Sequence, residues 1–169
     1  QVLPGDYTLE EARIVMHEML DASILELVQK GLVSESISLS IGYVQPKGVP
    51  VSPQPHHFYA HTGGTRKIGR RTNSAYVLKQ HFENLFNETT RDDLLIKRIS
   101  IGFGNLLPEK YATVTLFDDV EAEAKERRRQ EAIIAVRKRF GKNSMLKCTS
   151  LQEKATARER NNQIGGHRA

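Results

Sequence analysis

Ile37-Ser38-Leu39-Ser40-Ile41-Gly42-Tyr43 alternates at every step. Successive residues of a strand point to opposite sides, so this run makes a strand with one apolar face, Ile37, Leu39, Ile41 and Tyr43. Its other face, Ser38, Ser40 and Gly42, carries nothing larger than serine. Much later in the chain the same design returns. Ile99, Ile101 and Phe103 point one way, and Arg98, Ser100, Gly102 and Gly104 point the other. Two such strands in one sheet give it a side that must be covered and a side of low relief.

The elements around these strands follow from local signals. Thr8-Leu9-Glu10-Glu11 has the spacing of a capping box, in which the threonine hydroxyl accepts from an early helical N–H and Glu11 reaches back. Ala12, Met16, Met19, Leu20, Ile24 and Leu27 then recur at helical spacing, and Gly31 suits a left-handed stop. His17, within this helix, reads as an ordinary surface residue. Pro46, Gly48, Pro50, Pro53 and Pro55 make residues 45–57 a loop. A second strand is expected through Phe58–Ile68, weakened or bulged at Gly63-Gly64. Thr72 or Asn73 can cap a second helix, whose apolar stripe is Leu78, Phe82, Leu85 and Phe86. Asp92-Asp93 fall in the turn after it. Gln1–Leu3 fit the end of a first strand.

The order is then β-α-β-β-α-β, an α+β, ferredoxin-like domain over residues 1–110: a four-stranded sheet with both helices on one face. Residues 111–119 form a connecting segment. Within 120–169, a charged helix runs from Val120 to about Phe140 and ends at Gly141-Lys142-Asn143. The remainder is polar, with little core potential.

The net charge of +5 is unevenly spread. Residues 121–169 hold 13 Lys/Arg against 6 Asp/Glu, whereas residues 1–120 hold 12 against 14. The segment 6–35 is acidic, and Arg66, Lys67, Arg70 and Arg71 crowd into six positions. Such polarity fits one face for a polyanion and another for water. A single cysteine, Cys148, excludes an internal disulfide framework and fits a reducing, cytoplasmic setting. No apolar run approaches the roughly 18 residues of a membrane span. The start has neither an initiator Met nor the pattern of a signal peptide, so the chain is expected to be a piece of a longer one.

Several chemical motifs fail on inspection. Gly64–Arg71 nearly spaces like a phosphate-binding loop but lacks the Lys and Ser/Thr after its second glycine. His56, His57 and His61 have no cysteine or carboxylate nearby in sequence to complete a metal site. Cys148 has no catalytic setting, and Asp92-Asp93 and Asp118-Asp119 read as solvated pairs. No catalytic or metal-ligating set is expected. The low-relief face is the better lead. Small residues let another backbone approach, Arg66, Lys67 and Arg98 add charge, and hydroxyls and basic groups are what contact phosphates. Its lack of aromatics argues against single-stranded RNA, whose bases stack on such rings. Two alternatives stay open: a protein partner covering that face, or an RNA-binding domain of the same topology.

The chain resembles the C-terminal little-finger region of Y-family DNA polymerases, in the bacterial UmuC-like branch. The matching stretches are Gln1–Pro4 with Asp6-Tyr7, Glu11–Arg13, Ile37–Tyr43, Arg66-Lys67, Thr72–Ser74 and Ile99–Pro108. The match continues through Leu116–Asp119, Arg139–Ser144, Ala155–Asn161 and Ile164–Ala169. The resemblance implies a domain that grips duplex primer–template DNA, tethered to the rest of a polymerase chain that bypasses damaged bases. The palm, with its carboxylates and two Mg²⁺ ions, is not in this stretch, so the fragment itself is expected to hold no cofactor and to polymerise nothing. The implied DNA contacts are Ser38, Ser40, Thr65, Arg66, Lys67, Arg70, Arg71, Arg98 and Ser100, the last two arginines of the basic run reaching in from the start of the second helix. The family also carries a short sliding-clamp peptide, which the resemblance places in residues 111–119. The matching positions are Thr113, Val114, Thr115, Leu116 and Phe117, with Thr113 where the family has Gln.

Overall fold

The computed structural model describes residues 1–45, 60–115 and 119–163. Strand β1 (Val2–Tyr7) leads into helix α1 (Leu9–Gln29), then strands β2 (Leu32–Tyr43) and β3 (His61–Thr72), helix α2 (Ala75–Thr89) and strand β4 (Ile96–Gly104). A two-residue strand β5 (Leu107–Pro108), helix α3 (Val120–Phe140) and a short helix α4 (Ala157–Arg160) follow. The expected β-α-β-β-α-β order and its α+β class hold. The sheet order is β1-β4-β2-β3 with every pairing antiparallel. β1 therefore runs parallel to β2 with β4 inserted between them, and β3 parallel to β4 with β2 inserted. Each helix crosses over one such split pair.

The capping box at Thr8 forms in both directions, so α1 begins where its sequence dictates. Gly31 adopts φ 61°, which no β-carbon opposes. Pro4 is tolerated in β1 because β1 is an edge strand, where a missing N–H leaves no ladder bond unmade. Ile37, Leu39, Ile41 and Tyr43 are all buried, as are Ile99 and Ile96 from β4. They meet Met16, Leu20 and Ile24 of α1 and Leu78, Phe82 and Phe86 of α2 in one core. Each such side chain contributes on the order of 1.5–3 kcal/mol of transfer free energy.

The structure departs from the sequence reading at five places. The sheet gains a fifth strand, because β5 folds back onto Leu32 and Val33. β3 ends at Thr72 rather than Ile68. Of its expected start, Phe58 and Tyr59 lie outside the described residues. The bulge is not at Gly63-Gly64, which pair in register with Ser40 and Leu39. It lies between Lys67, opposite Ser36, and Thr72, opposite Ser34, where β3 carries three extra residues and Gly69 takes φ 84°. The cap of α2 is Ser74, accepting from the Val77 N–H, while Thr72 accepts from the Ser74 N–H and Asn73 donates to the Leu32 carbonyl. Finally, the polar tail, read as having little core potential, adds buried residues to the domain. Thr156 and Ala157 are buried against α1, and the Glu18 carboxylate accepts their N–H groups at 2.8 and 2.9 Å.

Candidate nucleic-acid interface

Paired residues of antiparallel strands share a face, so the register assigns every side chain of the open side. Four rows cross it. Lys67, Ser36 and Gly104 form the first, Thr65, Ser38 and Gly102 the second, Gly63, Ser40 and Ser100 the third, and His61, Gly42 and Arg98, with exposed Val2 of β1 beside Arg98, the fourth. Lys67, Thr65, Ser40 and Arg98 are exposed; Ser38 and Ser100 are half-buried. The six-residue offset along β2 separates the Lys67 row from the Arg98 row by about 20 Å, at ~3.4 Å per residue.

The face is low because glycine and serine line its centre, where an added side chain would have to displace a serine hydroxyl or, at Gly63, meet backbone. A β-carbon on Gly102 would sit 2.4 Å from Ser38 Oγ, and one on Gly104 would sit 2.4 Å from Ser36 Oγ. At Gly63 it would meet the Leu39 carbonyl oxygen at 2.1 Å, and φ is 116°. The result is a shallow depression of about 470 Å³ along Ser38, Ser40, Gly63, Thr65 and Ser100. Hydroxyls floor it, with a cation at either end of the ladder. Such a surface can meet a broad polyanion through charge and hydrogen bonds, and its rows hold no Phe, Tyr or Trp ring on which a base could stack, His61 at the margin being their one aromatic side chain.

The register corrects the expectation that Arg66 shares this face with Lys67. Neighbours in a strand point oppositely, and Arg66 pairs with Ile37 on the helix-covered side. There its guanidinium makes a two-bond ion pair with Glu88 of α2, and that hydrogen bonding is what raises its pKa and lowers that of Glu88. Arg70 and Arg71 do not reach in from α2 either. Both lie in the bulged end of β3. The Arg70 side chain is 9% exposed and bonds Glu123 of α3 at 2.7 Å. The Arg71 N–H donates to Thr113 Oγ1 at 2.7 Å, and the Thr113 N–H returns a bond to the Arg71 carbonyl at 3.0 Å. This edge is electropositive all the same. His81 of α2 has its pKa lowered by burial first, then by Arg66 and Arg70.

Of the expected clamp peptide, Thr113, Val114 and Thr115 are exposed, and Leu116 and Phe117 lie outside the described residues. So do His56 and His57. His61 is on the open face. Asp92 and Asp93 fall in the turn after α2, Asp93 pairing with Arg91. Asp119 caps α3 by accepting from the Ala122 N–H. Among the described residues no three His, Cys, Asp or Glu side chains gather as metal ligands would. No helix among them is long and apolar enough to cross a membrane.

Sequence reasoning missed the polar joints that attach α3 and the tail. Glu126 accepts from Ser74 Oγ and the Ala75 N–H at the start of α2, and Arg127 bonds Glu109 at 2.6 Å. His17 is half-buried rather than an ordinary surface residue: with Arg13 it grips Glu83, joining α1 to α2. No local pattern announces such pairs, because each partner is remote in sequence.

Fold and face together define an α+β module that carries an open, small-residue sheet surface with cations at its ends. The chain belongs to the impB/mucB/samB family C-terminal domain, whose family model matches residues 1–116. The match supports a Y-family polymerase C-terminal region, a unit other than the catalytic palm. No curated protein matches the chain significantly.

Proposed function

We propose that the chain is the little-finger grip of a bacterial, UmuC-like, error-prone Y-family polymerase, laid on duplex primer–template DNA through the open face of its sheet. The observation that carries this reading is the arrangement of Ser38, Ser40, Thr65 and Ser100 between Lys67 and Arg98 on a surface kept low by glycine. The ~20 Å ladder exceeds the ~12 Å width of a B-DNA major groove, so one cation can meet each phosphate bank while hydroxyls face the groove between. Contacts of this kind hold the duplex without reading its sequence, which suits synthesis past altered bases. The grip itself needs no metal. Polymerisation belongs to the palm of the parent chain, in the cytoplasm.

The register supplies the test. Lys67→Gln should weaken binding to every duplex alike, whereas Arg66→Gln, one residue away, should leave it unchanged. Equal effects at the two positions would contradict the face assignment.

A second element of the proposal is that residues 113–117 dock on a sliding clamp. In support, the bonds between Thr113 and Arg71 fix the start of the segment on the edge strand β3, and Val114 is 69% exposed beside it. An extended segment binds by filling pockets with a few apolar anchors. Clamp titration with Leu116→Ala/Phe117→Ala should show lost affinity at an unchanged melting temperature.

A further inference from the structure

Helix α3 and the first turn of α2 enclose a second groove, of about 700 Å³, lined by none of the residues on the open sheet face. Among its lining residues is Tyr76, which is 73% exposed. A tyrosine so placed buries little and lies outside the hydrophobic core. Lys125 and Arg129 stand on the opposite wall, one helical turn apart and both exposed.

The groove also contains three carboxylates, each already bonded to a donor of the fold, although Asp119 stays exposed. Asp119 accepts from the Ala122 N–H, Glu123 is bonded to Arg70, and Glu126 is bonded to Ser74 and the Ala75 N–H. Lys125 and Arg129 have no ion-pair partner among the described residues. The lip is therefore cationic although α3 is rich in both signs.

An exposed aromatic ring flanked by cations is the chemistry of a single-stranded nucleic-acid site. Only an unpaired base has a free face to lay on a tyrosine, and the adjoining phosphates then fall to the cations. We propose that this groove holds a single strand of nucleic acid, with one base stacked on Tyr76 and its neighbouring phosphates met by Lys125 and Arg129. The role differs in kind from gripping a duplex, and one wall is built from α3, which lies beyond the matched residues 1–116.

The experiment titrates the whole chain with a labelled oligo-thymidine strand and, separately, with a blunt duplex. Tyr76→Ala should weaken oligo-thymidine binding roughly tenfold, the loss of one stacked base, and leave the duplex unchanged. Lys125→Gln/Arg129→Gln should flatten the plot of log K against log salt for the single strand by about 1.4, at ~0.7 per phosphate. Lys67→Gln should do the reverse, weakening the duplex and sparing the single strand, so failure of either site is visible without the other. Oligo-thymidine binding unaltered in Tyr76→Ala overturns the proposal. So does an oligo-glutamate of equal length that binds more tightly than oligo-thymidine, since that would make the groove a seat for acidic protein segments.

Discussion

Glu18→Ala should release the C-terminal tail from the domain. Glu18 is 5% exposed, and one of its carboxylate oxygens accepts the N–H groups of Thr156 and Ala157 at 2.8 and 2.9 Å. Those two residues are 5% and 7% exposed, so water does not replace the lost acceptor while the tail stays docked. Orphaning a buried N–H costs roughly 1–3 kcal/mol, which sets a range of about 2–6 kcal/mol for the pair. The tail can escape that penalty by undocking, so the loss should emerge as local opening rather than global unfolding. At the lower bound of about 2 kcal/mol, amide exchange at residues 156–161 should accelerate roughly 30-fold, while β2 keeps its protection. Glu18→Gln, which retains a carbonyl acceptor, should lose less. Hydrogen exchange read by mass spectrometry separates the two segments. Unchanged protection at 156–161 in Glu18→Ala would refute the reasoning and leave the tail held by its other contacts.

Two further outcomes follow from the same geometry. Gly63→Ala should cost about 2–4 kcal/mol in denaturant unfolding, because a β-carbon meets the Leu39 carbonyl oxygen at 2.1 Å and φ is 116°; a loss below 1 kcal/mol, about the scale of an ordinary surface change, would count against that strand register. Burial works against the charge of Asp21, but Lys79 and the hydrogen bonds from Lys147 and Lys79 outweigh it and hold the carboxyl below its ordinary 3.8. A depressed folded-state value means this contribution is complete above 3.8 and fades as pH falls through the lower value, so melting curves of the parent should converge on those of Asp21→Asn only under acid.

Much of the fold was legible because its signals are local. Alternation at 37–43 and 99–104, the capping box at Thr8 and the left-handed glycine at 31 each speak for themselves. The bulge in β3 was not, because Gly63-Gly64 looks like a break, yet a glycine facing a neighbouring backbone is what close approach requires. The extra residues at 68–71 show themselves only once β3 is paired with β2. The site was half legible. The serine and glycine face followed from period two, and the same rule separates Arg66 from Lys67. Which of the two lies outward depends on pairing across a proline-rich stretch of sequence, and the partners that occupy Arg66 and Arg70, Glu88 and Glu123, are distant in sequence. The groove around Tyr76 was invisible for the same reason, since its walls are some fifty residues apart and are joined by the bonds of Glu126 to Ser74 and the Ala75 N–H.

The central claim is that the open sheet face grips duplex phosphates, and the salt dependence of duplex binding tests it most directly. Each phosphate neutralised steepens the fall of log K against log salt by about 0.9. Lys67→Gln/Arg98→Gln should therefore flatten the slope by about 1.8, to the same extent for unrelated duplex sequences and with the melting temperature of the protein preserved. A slope equal to that of the parent, or a loss confined to one sequence, would contradict the account.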